Sequence, residues 1–392
     1  MLCFQGKDSP AISPALLKVI TRVAEEQVFS RARVVQAVAD LSRLFTKERV
    51  SVSQPYLDDP VRAAAYLNYF LPVNLSKVQM LLDEVPVLDA RKPLSVLDFG
   101  SGQGTAALAV LDWRHRCKQD GALSVVAVDK AVRALRQAEQ LWGAYCQAAA
   151  IPSASLHAYE ADAERGAWLE QINQKAPFDL IILSNCLNEM HADTHNPISA
   201  RCGLVTKLLS LLAPNGTMMI VEPALCETSR ALHHVRDQLL QEKRCTIYSP
   251  CLHEHNCPAL MNPDDWCHEE RSWKAPAVIQ QIDDEVGFIK DALKFSYLLL
   301  RKDGKTIVER RPDVYRVVSE LRELKGDTRA WVCNELGRSE IGRLERVKSE
   351  ANAAWDDCRR GTIVKLGGMK QKDGAKLARI PDEGKVQIVR PT

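Results

Sequence analysis

No apolar run in this sequence is long enough to cross a bilayer. Apolar runs such as Leu180 to Leu183 and Tyr297 to Leu300 fall far short of the roughly 18 residues that a span requires. The first residues, Met1-Leu2-Cys3-Phe4-Gln5-Gly6-Lys7-Asp8, lack a cationic segment followed by an apolar one, so a secretory signal is not expected. Arg is absent from the first 20 residues, so no mitochondrial presequence is evident. A surplus of one charge sign is missing as well: 52 Lys plus Arg face 50 Asp plus Glu, which excludes both a strongly basic RNA coat and an acidic tail. Twelve cysteines in 392 residues are too few for a disulfide scaffold and point to reduced thiols, metal ligands or core residues.

With 46% apolar and 26% charged residues, the chain can bury a core, and its length suits two or three domains. From Ser13 to about Phe45, Leu16, Ile20, Val23 and Val28 recur at helical spacing, and a second helical stretch runs from Pro60 to Val85. Residues 1–86 therefore read as a helical region that packs on the next domain or forms a lid over its site. After Pro93, short apolar strands alternate with helices: Leu94 to Asp98, Leu123 to Val128, Ser155 to Tyr159, Leu180 to Leu183 and Met218 to Val221 are strands. This alternation predicts a doubly wound α/β domain with a mostly parallel sheet over residues 87–302. Phe295 to Arg301 is a further strand. Residues 303–360 are charged and read as helical, and 361–392 as a basic extension with β-like pieces at Thr362 to Leu366, Lys376 to Ile380 and Lys385 to Val389. From residue 301 onward, 22 Lys plus Arg stand against 15 Asp plus Glu, so this end is the better surface for phosphates.

Asp98-Phe99-Gly100-Ser101-Gly102-Gln103-Gly104 lies where the first strand turns into the first helix. Ligands of open α/β sheets occupy the crevice beyond the carboxyl ends of the strands, and glycines there let a ligand approach the backbone. Thr105 stands where a dinucleotide fingerprint wants its third glycine or alanine, and no Lys-Ser or Lys-Thr pair is present for a P-loop. Asp129 ends the second strand, where a carboxylate can accept from both hydroxyls of a ribose. Asp162, after the third strand, is placed to meet the amino group of an adenine, and Asn185, after the fourth, faces the same crevice.

These residues resemble a class I S-adenosylmethionine-dependent methyltransferase from about Leu94 to Arg301. The resemblance implies that Asp98, Gly100, Ser101, Gly102 and Gly104 lie beside the methionine part of the cofactor. The segment Ser184-Asn185-Cys186-Leu187-Asn188-Glu189-Met190 lacks the Asn/Asp-Pro-Pro-Tyr/Phe element of many amino-directed methyltransferases. Glu189 and His191 are proton acceptors by type, but each is better read as a surface helix start, and no catalytic residue is assigned.

Between 250 and 270, Cys251, His253, His255, Cys257, Cys267 and His268 crowd into an irregular segment. Such a segment has little apolar surface, and metal bonds can order it. Zinc accepts mixed Cys and His ligands, and an iron-sulfur cluster prefers four thiolates. The residues leave the two open.

Val96-Leu97-Asp98-Phe99-Gly100-Ser101-Gly102, Val221-Glu222-Pro223, Pro250-Cys251 through Cys257-Pro258, Trp266-Cys267-His268 and Lys294-Phe295-Ser296-Tyr297-Leu298 together resemble the methyltransferase-like assembly factors of the ribosomal small subunit, a family with mitochondrial and bacterial members. The resemblance implies a 4Fe-4S cluster on Cys251, Cys257, Cys267 and Cys333, with the histidines as neighbours and zinc as the alternative. It further implies binding of S-adenosylmethionine, of the small subunit and of its rRNA, with no membrane partner and a monomer when free. The compartment would be the cytoplasm of a bacterium or the mitochondrial matrix. Whether the crevice catalyses methyl transfer, with rRNA as the expected substrate, or serves as a structural pocket is left open. A zinc-stapled small-molecule or protein methyltransferase is the third reading.

Overall fold

A computed structural model describes residues 12–27, 29–48, 56–86, 89–166, 168–289, 291–371 and 377–391. Cys3, Val28 and Lys376 lie outside them.

The helical lead-in comprises α1 (Pro14–Glu25), α2 (Arg31–Thr46), α3 (Pro60–Ala65), a single π-helical turn (Tyr66–Phe70) and α4 (Leu71–Leu82). Local signals set its ends. Ser13 accepts from the Leu16 amide at 3.1 Å ahead of Pro14, and Asp59 accepts from Val61 and Arg62 at 2.9 Å ahead of Pro60. Leu16, Val19, Ile20 and Val23 form one buried stripe of α1.

The first sheet contains β1 (Leu94–Phe99), β2 (Leu123–Asp129), β3 (Ala154–Glu160), β4 (Phe178–Ser184), β5 (Leu212–Pro223), β6 (Thr246–Ser249), β7 (Glu269–Ser272) and β8 (Ala292–Arg301). Its order is β3-β2-β1-β4-β5-β8-β6, with β7 also paired to β8. Strands β1 to β5 are parallel and β8 runs antiparallel to β5, β6 and β7. Between and after the strands lie α5 (Thr105–Arg116), α6 (Val132–Ala148), α7 (Trp168–Asn173), α8 (Pro197–Leu211), α9 (Cys226–Gln241) and α10 (Ala277–Val286). Alternate residues of β1 feed opposite cores. Leu94 and Val96 join the cluster with α1, α4 and α5, whereas Leu97 and Phe99 join the one with α7, α8 and α9. This is a doubly wound, mostly parallel α/β sheet, as expected.

The second sheet corrects the expectation for 303–360. Instead of a helical region, that stretch contains β9 (Val314–Val317), β10 (Arg322–Leu324), β11 (Asp327–Asn334) and β12 (Gly337–Leu344), followed by two short 3-10 turns, Glu345–Val347 and Ala353–Asp357. Then come β13 (Ile363–Gly367), β14 (Leu377–Arg379) and β15 (Lys385–Arg390). The order is β14-β12-β11-β9-β13-β15, with β10 on β11. The two end strands are successive segments of one stretch of chain, so the sheet curls on itself around Val317, Ala330, Val332, Ile341, Val364, Leu366, Ile380 and the buried Trp355. Only Ala330 and Val332 of β11 and Ile341 of β12 enter this core among mostly charged or polar neighbours, too few apolar positions for a strand alternation to register in sequence.

Between the two sheets lies a buried ion network. Glu84, just after α4, pairs with Arg271 of β7; Arg271 meets Glu269 at 2.9 Å, and Glu269 meets Arg316 of β9 at 3.1 Å. Glu84 also accepts from Ser249 at 2.7 Å and from Tyr297 at 2.8 Å. Among the described residues no helix is long and apolar enough to cross a membrane.

Candidate functional site

The strand order reverses between β1 and β4, and the crevice at their carboxyl ends is lined by Asp98, Gly100, Ser101, Gly102, Asp129, Asp162 and Asn185. Seven of the eight residues singled out for a nucleotide thus share one cavity. The eighth, Gly104, starts α5 at φ +81° and serves packing instead. A Cβ there would lie 2.8 Å from that of Ala138, so the glycine permits α5 and α6 to approach. Gly100 is at φ +74°, and a Cβ on it would fall 2.7 Å from both Cβ and Sγ of Cys186.

The acids of the crevice are partly engaged. Asp129 accepts from the Gly102 amide on one oxygen and from the Ala131 amide on the other, each at 2.8 Å, which shapes the glycine turn and leaves each oxygen its second lone pair. Asp162 accepts from the Glu164 amide at 3.0 Å and meets Arg165 at 3.2 Å. Asp98 accepts from the Ala107 amide at 2.8 Å; burial, with the charge of Asp129, pushes its carboxyl up to about 7. A carboxyl raised in the folded state binds protons that the unfolded chain, at about 4, has lost. Its contribution therefore erodes stability as pH rises from about 4 to 7. Asp98→Asn should flatten that part of the profile in the ligand-free protein, measured as melting temperature at pH 5.5 and 7.5. An unchanged profile would show that Asp98 does not titrate in this range.

Sequence spacing did not place the wall opposite the turn, because Tyr56, Leu57 and Tyr66 come from the helical lead-in, Tyr66 from its π turn. The lead-in is therefore both a packing cap and part of the crevice. Glu189 lines the crevice, whereas His191 is not among its lining residues. Glu222, at the end of β5, accepts from the backbone amide and side chain of Asn188 and so anchors the loop after β4; burial raises its carboxyl to about 7. The hydroxyl of Ser101 is buried without a hydrogen-bond partner among the described residues, in a turn whose backbone lines the crevice. An orphaned polar atom of this kind fits a polar ligand group.

A second cavity lies where the loop after β6 meets the curled sheet, and Cys251, Cys257, Cys267 and Cys333 all line it. Cys333 arrives on β11, 66 residues beyond Cys267 in sequence, so only the docking of the two sheets unites the set. Burial pushes the thiols of Cys257 and Cys267 up to about 12 and raises Cys333, each also feeling neighbouring cysteines. His253 and His268 line the cavity and His255 does not; burial lowers them to about 3 and 4, so both are neutral near pH 7. His233 of α9 is a further lining residue, its Nε2 lying 3.2 Å from the Cys267 carbonyl.

Cations surround the thiols. Arg236, fully buried on α9, donates to the His255 carbonyl at 2.7 Å and to the His253 carbonyl at 2.8 Å, and pairs with Asp237. Asp237 in turn accepts from the Cys257 amide at 2.9 Å. Burial opposes the charge of Arg236, but Cys251 and Asp237 hold its pKa above the ordinary value. Arg316 and Arg338 also line the cavity. No local motif announces Arg236, Arg316 or Arg338. Among the described residues no three His, Cys, Asp or Glu side chains are grouped closely enough to hold a single metal ion, and all described cysteines are free.

No curated protein matches the chain. Solved structures similar to it include the precorrin-6y C5,15-methyltransferase from Geobacter metallireducens, with 11% identity, TM-score 0.32, and coverage of 58% of this chain and 88% of that one. Another is the arsenic(III) S-adenosylmethionine methyltransferase from Chlamydomonas reinhardtii, with 17% identity, TM-score 0.32, and coverage of 62% and 77%. The mitomycin 7-O-methyltransferase MmcR has 11% identity and TM-score 0.36, with coverage of 69% and 67%. A family model matches residues 60–353, from α3 through the glycine turn and the cysteine loop to the strand carrying Cys333, and the chain belongs to that family, the mitochondrial small ribosomal subunit Rsm22 family.

Proposed function

We propose that this chain is an S-adenosylmethionine-binding, 4Fe-4S-containing methyltransferase-like protein that acts in assembly or translation of the ribosomal small subunit by binding its rRNA. The observation that carries this reading is the meeting of three cysteines of the loop between β6 and β7 with Cys333 of β11 at one cavity. An iron-sulfur cluster takes four thiolates and bears negative charge, which suits a buried site with Arg236, Arg316 and Arg338 around it. Cys251, Cys257, Cys267 and Cys333 would hold it. A cluster of this kind supplies cross-links that order a segment, or electron transfer. Zinc is the competing occupant. A brown protein after anaerobic purification, with iron and sulfide in equal amount, is expected; a colourless one with stoichiometric zinc would overturn the choice.

For the other site, the orphaned Ser101 hydroxyl and the carboxylates of Asp98, Asp129 and Asp162 support a cationic, hydroxyl-bearing cofactor such as S-adenosylmethionine. Gly100→Ala should abolish its binding in calorimetry while leaving the iron content intact, because the new Cβ would fall on Cys186. Undiminished binding would displace the cofactor from this turn.

The family's name ties its members to the mitochondrial small ribosomal subunit, which supports the mitochondrial matrix as the compartment of this chain, or, for a bacterial member, the cytoplasm with the bacterial small subunit. A non-catalytic role within that setting is favoured by the loop after β4, which has no Pro-Pro-Tyr element. Radiolabelled S-adenosylmethionine incubated with precursor small subunits tests it. No transfer at saturating cofactor supports the non-catalytic form; labelled rRNA establishes the enzyme.

A further inference from the structure

We infer that the outer face of β11 and β12, centred on Trp331, is a binding surface for single-stranded RNA. The inference rests on the rRNA reading above and gives it a location.

In the curled sheet, β9 pairs antiparallel with β11 and with β13, and β11 pairs antiparallel with β12. The last stretch of chain closes the sheet in two segments: β14 runs parallel to β12 and β15 antiparallel to β13. Taken as one interrupted strand, they complete a five-stranded barrel whose short helical turns lie between its third and fourth strands. That is the arrangement of an OB-fold, in which the second and third strands present the face that binds oligonucleotides. Here those strands are β11 and β12.

The side chains on that face suit the same partner. Along β11, Ala330 and Val332 enter the barrel, so Arg329, Trp331 and Cys333 point outward. Trp331 is half-buried yet belongs to no hydrophobic cluster of the described residues. The Arg338 guanidinium lies over its ring, 5.1 Å from the centroid. An indole outside every core and backed by a guanidinium is a platform on which an unpaired base can stack.

Charge selects the partner. Arg322 opposes Arg329 across the β10–β11 pair, and Arg338 opposes Cys333 across β11–β12. Arg379 of β14 reaches over Gly342, where a Cβ would lie 2.8 Å from its Nη1. Asp327 serves both Arg329 and Arg379, at 2.6 Å each, and Glu340 pairs with Arg322. Three arginines thus share two acids of the face, while Arg338 pairs with Asp265 of the cysteine loop, and the remaining positive charge suits a phosphate backbone. A stacking ring on a sheet reads splayed bases, whereas the deep major groove of duplex RNA hides them. At one end the face meets the cysteine loop, where Arg338 pairs with Asp265. RNA on this surface would lie against the loop that the thiols organise.

The test uses the full-length protein with its metal centre, a fluorescein-labelled 12-nucleotide single-stranded RNA, a duplex of the same length, and small-subunit particles. The wild type should bind the single strand more tightly than the duplex. Trp331→Ala should weaken single-strand binding about tenfold, in line with one lost base stack, and Trp331→Phe should recover most of it. Arg322→Ala, distant from the cysteines, should lower the slope of log affinity against log salt by about 0.7 for one lost phosphate contact. Unchanged melting temperature and iron content in each variant exclude misfolding. Binding by Trp331→Ala equal to wild type would overturn the inference and leave the rRNA reading intact. A wild type that binds particles but neither free RNA would also overturn it, in favour of a protein contact. A wild type that binds neither RNA nor particles would sink the rRNA reading itself.

Discussion

Cys257→Ser, purified without oxygen, is expected to lose its iron and to melt well below the wild type. Cys257 is 6% exposed and sits at the start of the short 3-10 turn Pro258–Met261, with its amide tied to Asp237. The loop from 250 to 268 has few apolar residues in a core: Leu252 and Ala259 are buried, but Met261 is 86% exposed. Its order must come from polar bonds and from whatever the thiols hold. Metal ligation in small structural zinc sites supplies on the order of 10 kcal/mol of folding free energy, against a net stability of about 5–15 kcal/mol for a whole domain. A lost ligand should therefore unfold the loop and weaken the seam with the barrel, because Cys333 lies across it. Cys358→Ser is the control. Cys358 is fully buried in the barrel core, away from the cavity, so it should lose stability through packing alone and keep its iron. Iron retained in Cys257→Ser with an unchanged melting temperature would remove Cys257 from the ligand set.

The second large effect is expected at Glu84. Its carboxylate is 5% exposed and neutralises two buried arginines, Arg271 and, at 4.0 Å, Arg316. Burial works against its charge, yet the two guanidiniums hold its pKa down at about 2. The sign follows: a carboxyl depressed below its unfolded value stabilises the fold above about pH 4, and that contribution fades as pH falls towards 2. At pH 7 it is fully present. Glu84→Ala leaves buried positive charge with only Glu269 to answer it, and removal of one partner of a buried pair costs about 3–5 kcal/mol. Glu84→Gln keeps a hydrogen-bond acceptor for Ser249 and Tyr297 and should lose less. Urea denaturation at pH 7 reads the difference. Equal stability of all three proteins would show that the network does not hold the helical lead-in, β7, β8 and β9 together.

Reading the chain from sequence worked where the pattern was local. The first sheet announced itself because each strand is a short apolar run followed by a helix, and because Asp98 to Gly104 concentrates glycines at a strand end. Strands β1 to β4 lie where spacing puts them, within a few residues at their ends, and β5 contains the expected Met218 to Val221 but begins six residues earlier, at Leu212. Reading failed for β11 and β12. Asp327-Thr328-Arg329-Ala330-Trp331-Val332-Cys333-Asn334 has small or apolar residues inward at every second place, but arginine and tryptophan outward, and a barrel with a polar exterior shows no continuous apolar run. The antiparallel pieces β6 and β7 are four residues each, too short for any periodicity to register.

The candidate sites divide in the same way. Asp98, Gly100, Ser101, Gly102, Asp129, Asp162 and Asn185 could be named in advance because a parallel sheet delivers the ends of its strands to one edge, and chain order then predicts spatial order. The cysteines from 251 to 267 could be named because they cluster within one loop. Residues near one another in the chain thus specify the sheet, its crevice and the thiol-rich loop. Packing between distant segments brings Cys333 to that loop, sets Tyr56 and Tyr66 as a wall of the crevice, and carries the charges of Arg236, Arg316 and Glu84 into the seams. Those placements depend on which surfaces bury against which, and burial is a property of the packed chain that no short window of residues contains.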